Sequence, residues 1–124
     1  MRARIFLIIW SIIILILTLL PGNIIPHSDF SGKMHIDKVV HFTIFLVFAI
    51  LFYLSVPSGT PNKNINLKGI IIILVISLAY VTLIEILQRY IPGRDFEPED
   101  VIAGGAGTLT GLLFMIIRKN IVNK

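Results

Sequence analysis

The sequence predicts an all-α polytopic membrane protein, a bundle of four transmembrane helices. Three observations carry that prediction. Hydrophobic residues make up 56% of the 124 positions and charged residues 15%, with a mean hydropathy of +0.91; soluble domains carry about 25% charge. The apolar residues fall into four uncharged or nearly uncharged runs, at about 5–20, 39–56, 69–87 and 101–117. Each run is close to the roughly 20 residues needed to cross a hydrocarbon core, and none alternates in polarity as a barrel strand does. Helices are the form that satisfies their own backbone groups in lipid.

The punctuation between runs supports this division. The first run follows Arg2 and Arg4 and stops at Pro21-Gly22; no A-x-A-like site follows, so it reads as an uncleaved span and not as a secretory signal. The second stops at Pro57-Ser58-Gly59 and the fourth at Arg118-Lys119. A length of 124 residues suits one domain, here taken as 1–124. There is no cysteine, which excludes disulfides and thiolate metal sites.

The net charge of +4 is spread singly or in pairs between apolar runs. That pattern is one of juxtamembrane anchoring to the lipid bilayer and not of a nucleic-acid groove. With the N-terminus inside, Arg2, Arg4, Lys63, Lys68, Arg118, Lys119 and Lys124 lie inside, against Lys33, Lys38, Arg89 and Arg94 outside. The positive-inside rule therefore places both termini in the cytoplasm. Nearly all acidic residues then fall in the two outside loops.

Glu85 is the exception, one turn inside the third run, and a carboxylate in a bilayer is expensive enough to need a partner. On a helix it shares a polar stripe with Ser77, Thr82, Gln88 and Arg89. Pairing with Arg89 four residues on is its simplest structural role. Asp37, Lys38 and His41 open the second run. Asp37 is placed to cap that helix and Lys38 to snorkel to the headgroups; His41 lies one turn deeper. Phe45, Phe48 and Phe52 continue down the helix as packing residues. Pro98-Glu99-Asp100 opens the fourth helix, where proline and acids suit the first turn. Below it, Ala103, Gly104, Gly107 and Gly111 form a small-residue face for close helix packing, which turns Asp100 toward the bundle axis. Arg94, in the turn between the last two spans, is a counter-ion for Glu85 or Asp100, or a bidentate anion receptor.

Asp37, Lys38, His41, Glu85, Gln88, Arg94 and Asp100 thus come from separate segments to one predicted level near the outer leaflet. His41, Glu85 and Asp100 are the candidates for orienting a substrate or moving protons. Asp37, Lys38, Gln88 and Arg94 are the candidates for binding. His27, His35 and His41 lack any H-E-x-x-H or comparable spacing, so no metal and no cofactor is expected. No nucleophile motif names an enzyme class.

The same residues resemble the VanZ-like family: Asp37-Lys38-x-x-His41-Phe42, then Glu85-x-x-Gln88 with Pro92-Gly93-Arg94, then Asp100-Val101-x-Ala103-x-x-x-Gly107-x-x-x-Gly111. The three blocks keep that family's order and spacing over about 35–117. One departure is Gly104, where the family often has Asn. The resemblance implies a bacterial cytoplasmic membrane protein, linked through the family's namesake to resistance to the glycopeptide teicoplanin. It supplies no reaction. The residues themselves leave three functions open. One is a site for an anionic lipid or cell-wall precursor headgroup. The second is a non-enzymatic module with a structural ion-pair network. The third is a small proton-coupled exporter, for which Glu85 is unusually shallow.

Overall fold

The computed structural model describes residues 2–22, 30–57, 65–122 and 124, with the side chains of 30–35 left aside. His27, Asp29 and most of the loop at 57–67 lie outside the described residues, as do the side chains of Lys33 and His35. Four helices follow in order: α1 (Arg2–Thr18), α2 (Phe30–Ser55), α3 (Leu67–Gln88) and α4 (Pro98–Val122). No strand occurs among the described residues. Three helices contain stretches long and apolar enough to cross a membrane, at Ile36–Ser55, Leu67–Gln88 and Pro98–Val122. The fourth, α1, has 17 residues, which at about 1.5 Å per residue reaches about 26 Å.

The helices begin and end where local chemistry dictates. The side chain of Asn66 accepts a hydrogen bond from the Gly69 N–H at 2.9 Å and so caps α3. Pro98 opens α4 at the position where its missing N–H costs nothing. The end of α2 comes at Ser55, two residues before Pro57, which cannot continue a helix. The start of α2 differs from the sequence expectation. It begins at Phe30, so Asp37 lies two turns inside the helix and caps nothing. The apolar run begins only at Val39, whereas helix formation needs backbone bonds and not apolarity, and the helix extends through the polar residues before that run. In the same way α1 stops at Thr18, short of the end of the first apolar run.

The outer surface is made for an apolar solvent. Ile8, Ile12 and Ile16 on α1, Ile71 and Val75 on α3 and Leu113 and Ile117 on α4 are all about half exposed or more. Inside, Phe45, Phe48, Ile44, Val81, Ile84 and Ile14 form one cluster, and Ala49, Tyr53, Ile73, Leu112 and Met115 a second. Phe45 and Phe48 meet edge to face at 5.9 Å, Phe48 and Phe52 at 5.8 Å, and Tyr80 joins them from α3.

The tightest seam is between α2 and α4. A Cβ built on Gly107 would collide with the main-chain carbonyl of Phe42, and one on Gly111 would lie 2.6 Å from the carbonyl oxygen of Leu46. Both obstacles are backbone, which cannot swing aside as a side chain can. The seam therefore requires hydrogen at these two positions. Helix α1 is attached differently, through hydrogen bonds. The indole N–H of Trp10 donates to Ile44 O at 3.0 Å, and Tyr80 Oη donates to Ser11 O at 2.7 Å.

Gly107→Ala should lower the melting temperature of the detergent-solubilised protein by several degrees, a cost of about 1–3 kcal/mol for overpacking. Gly105→Ala meets only the tip of Leu78, at 3.1 Å, and should shift it far less. Equal melting temperatures for the two variants would contradict this account of the seam.

Candidate functional site

The polar residues gather at the end of the bundle where α1 leaves, α3 ends and α4 begins. Three side chains form its core. His41 of α2, Glu85 of α3 and Asp100 of α4 are 2%, 0% and 3% exposed. His41 Nε2 lies 3.0 Å from Glu85 Oε1, and His41 Nδ1 lies 3.6 Å from Asp100 Oδ2. The imidazole thus stands between two carboxylates on two other helices.

Local structure explains each placement. His41 Nδ1 is 2.9 Å from the carbonyl oxygen of Asp37, one turn earlier on the same helix. A carbonyl can only accept, so Nδ1 is the protonated nitrogen in that contact. In the neutral ring, Nε2 then presents its lone pair to Glu85. Glu85 Oε2 accepts the Glu97 N–H at 3.2 Å. That amide stands just before α4, where helical N–H groups lack intrahelical partners and negative charge is favoured. The buried carboxylate of α3 is therefore held by the start of α4. Arg89, its simplest expected partner, is exposed at the end of α3, and Glu85 turns inward to His41 instead.

A rim of charge surrounds this core. Lys38 Nζ lies 2.9 Å from Glu99, 3.3 Å from Glu97 and 3.7 Å from Asp100. Arg94 Nη1 lies 3.7 Å from Asp37 Oδ2, and its Nε donates to Leu20 O at 3.3 Å. The expectation that Arg94 faces Glu85 or Asp100 is thereby corrected. The turn preceding it, in which Gly93 takes φ 75°, directs the guanidinium toward α2 and the exit of α1. Gln88 is buried but separate from the core, and its Nε2 donates to Thr18 O at 2.8 Å.

Gly104 lies one turn below Asp100. A Cβ there would be 2.7 Å from Val81 Cγ2 and 3.2 Å from Phe45 Cδ2. The volume that an Asn would need is filled in this chain by Val81 and Phe45. Gly107 and Gly111 lie along α2 as described above, and Ala103 is half-buried.

Sequence reasoning missed several participants. Glu97 contributes a main-chain donor to Glu85 and a carboxylate to Lys38, and a backbone role leaves no mark in the sequence. Thr18 and Leu20 contribute carbonyls near the C-terminal end of α1, where such groups lack partners within the helix. Gln88 and Arg94 supply their donors. Gly22 N donates to Pro92 O at 3.1 Å, and a Cβ on Gly22 would strike the Gly93 carbonyl. The pair Gly22 and Pro92-Gly93 could have hinted at this contact.

The chain matches the VanZ/LLP1 family over residues 4–119. No curated protein and no solved structure matches it.

Removing one member of the core should cost more than removing two. Glu85→Ala leaves the His41 ring facing an empty buried space and should destabilise the protein by about 3 kcal/mol or more. The double variant His41→Leu/Glu85→Leu, apolar at both positions, should recover part of that loss in detergent melting experiments. A double variant at least as unstable as Glu85→Ala would contradict a coupled pair.

Proposed function

The chain belongs to the VanZ/LLP1 family, and from that membership we propose that it is a four-span protein of the bacterial cytoplasmic membrane with an acid–base site facing the cell envelope. The site binds or modifies an anionic envelope molecule, a lipid-linked or cell-wall precursor headgroup, and through it affects glycopeptide resistance. The observation that carries this reading is the buried meeting of His41, Glu85 and Asp100, brought together from three helices. Titratable groups so enclosed are expensive in a membrane and mark functional sites.

Division of labour follows from burial. The core residues lack solvent and hold or pass protons. Lys38 stands at the rim, and two of its three carboxylate partners, Glu97 and Glu99, have side chains 37% and 62% exposed. Ion pairs that wet are weak, so a phosphate can displace them from the ammonium group. Arg94 and Asp37 flank that position, and Gln88 steadies the neighbouring end of α1.

A purely structural network is the second reading. It is favoured by one observation: both rim cations already have carboxylate partners.

Two experiments test these assignments. His41→Gln, Glu85→Gln and Arg94→Ala are expected to abolish any contribution to teicoplanin tolerance and any change in lipid profile, at normal protein abundance. Variants that match the parent in both respects would leave the structural network as the better account. For topology, the cysteine-free chain allows single-cysteine labelling. Asp95→Cys should react with an impermeant maleimide in intact cells, and Ala3→Cys only after permeabilisation. Labelling of both in intact cells would mean that α1 does not span.

A further inference from the structure

The buried core carries a feature that an acid–base role does not require. The facing atoms His41 Nε2 and Glu85 Oε1 are 3.0 Å apart, yet neither makes a hydrogen bond of acceptable direction, and Asp100 Oδ1 also lacks a hydrogen-bond partner. Each of these atoms is buried, in residues at most 3% exposed. Among the described residues this is the one group in which three such side chains each offer a ligand atom, with those atoms within 4.8 Å of one another.

We propose that His41, Glu85 and Asp100 form a binding site for one divalent transition-metal cation, of the Zn²⁺ or Mn²⁺ class. The inference deepens the reading of the buried triad as the working part of the molecule and rests on it.

Four physical arguments support it. First, the histidine is presented as a ligand. Metal-bound imidazoles donate their other N–H to a carbonyl or carboxylate, which fixes the tautomer and aims the lone pair; here Nδ1 meets the Asp37 carbonyl at 2.9 Å and leaves Nε2 for the ion. Second, the spacing fits. Two donors about 2.1 Å from an ion are about 3.0 Å apart at the right angles of an octahedral site, which Mn²⁺ takes, and about 3.4 Å apart at the tetrahedral angle of Zn²⁺; the 3.0 Å between Nε2 and Oε1 falls at the first of these. Third, the carboxylates are themselves braced, Glu85 by the Glu97 amide at 3.2 Å and Asp100 by its place in the first turn of α4. Fourth, the charge balance calls for a cation. Five carboxylates, those of Asp37, Glu85, Glu97, Glu99 and Asp100, surround two fixed cations, Lys38 and Arg94. A divalent ion offsets most of that excess at the place where it is most deeply buried.

One imidazole and two carboxylates suit Zn²⁺ and Mn²⁺, whereas Mg²⁺ and Ca²⁺ prefer oxygen alone. Three protein ligands leave an open position, as catalytic metal sites do. Lys38, 3.7 Å from Asp100, limits affinity by repulsion.

The test uses the full chain, purified in detergent and stripped with chelator. Titration with Mn²⁺ and with Zn²⁺ by calorimetry, checked by elemental analysis after desalting, should give one ion per chain. Glu85→Gln and Asp100→Asn keep the side-chain shapes and should each weaken binding at least tenfold, while Asp95→Asn, exposed in the turn before α4, should leave it within twofold. Pulsed electron paramagnetic resonance of the Mn²⁺ form should show a directly bound imidazole nitrogen, lost in His41→Gln. Helical content measured on every variant identifies any that fails to fold; the nitrogen signal of the unmodified protein does not depend on the variants. Binding far below one ion per chain, equal loss in Asp95→Asn, or bound Mn²⁺ without a nitrogen signal would each overturn the proposal. Failure of the parent chain to bind metal, with the envelope phenotypes still lost in the triad variants, would overturn the metal site and leave the acid–base reading standing; metal binding by the parent chain, with phenotypes unchanged in the triad variants, would do the reverse.

Discussion

The contact between α2 and α4 sets the rest of the structure. At Gly107 and Gly111 the main chain of one helix lies against the carbonyls of Phe42 and Leu46 on the other, with no side chain between them. In lipid there is no hydrophobic drive to hold helices together, so close van der Waals approach must do that work. Its consequence reaches beyond stability. With the two axes so near, His41, next to Phe42, and Asp100, two turns before Gly107, are brought within 3.6 Å. A wider seam would separate them.

The polar end is organised in two zones, and the difference between them is solvent. In the core, His41, Glu85 and Asp100 have no water to compensate for a missed bond, so geometry decides their energy. In the rim, Lys38, Glu97 and Glu99 retain part of their hydration, and their pairings at 2.9 and 3.3 Å are exchangeable, whereas Arg94 and Asp37, 3.7 Å apart, are more enclosed. Glu97 links the zones, since its amide faces inward to Glu85 while its carboxylate faces outward to Lys38. Any ligand that draws Lys38 away from Glu97 therefore acts on the residue that also braces Glu85.

Much of this was legible in the sequence, and for identifiable reasons. Apolar runs bounded by Pro57 or opened by Pro98 mark helices because lipid and proline both impose hard rules. The family match over 4–119 agrees with the resemblance carried by Asp37, His41, Glu85, Arg94 and Asp100. Partner choice was less legible. The inward turn of Glu85 depends on the backbone amide of Glu97, and the outward turn of Arg94 on Gly93 and on the carbonyl of Leu20. Those are main-chain groups, and every residue offers the same ones, so no side-chain pattern announces them. The start of α2 was missed because hydropathy ends where the helix does not. The part played by α1 was missed because it contributes carbonyls more than side chains.

That last trait has a bearing on how the chain can change over time. Tyr80, Gln88 and Arg94 grip α1 at the oxygens of Ser11, Thr18 and Leu20. All twenty amino acids supply such an oxygen. Apart from Trp10 and Arg4, which reach out to Ile44 and Ser55, and the residues packed inside near Ile14, positions on α1 can drift between apolar types without loosening its attachment. The record of selection should then be concentrated in α2 to α4, in the donors that hold on, while the helix they hold is free to vary.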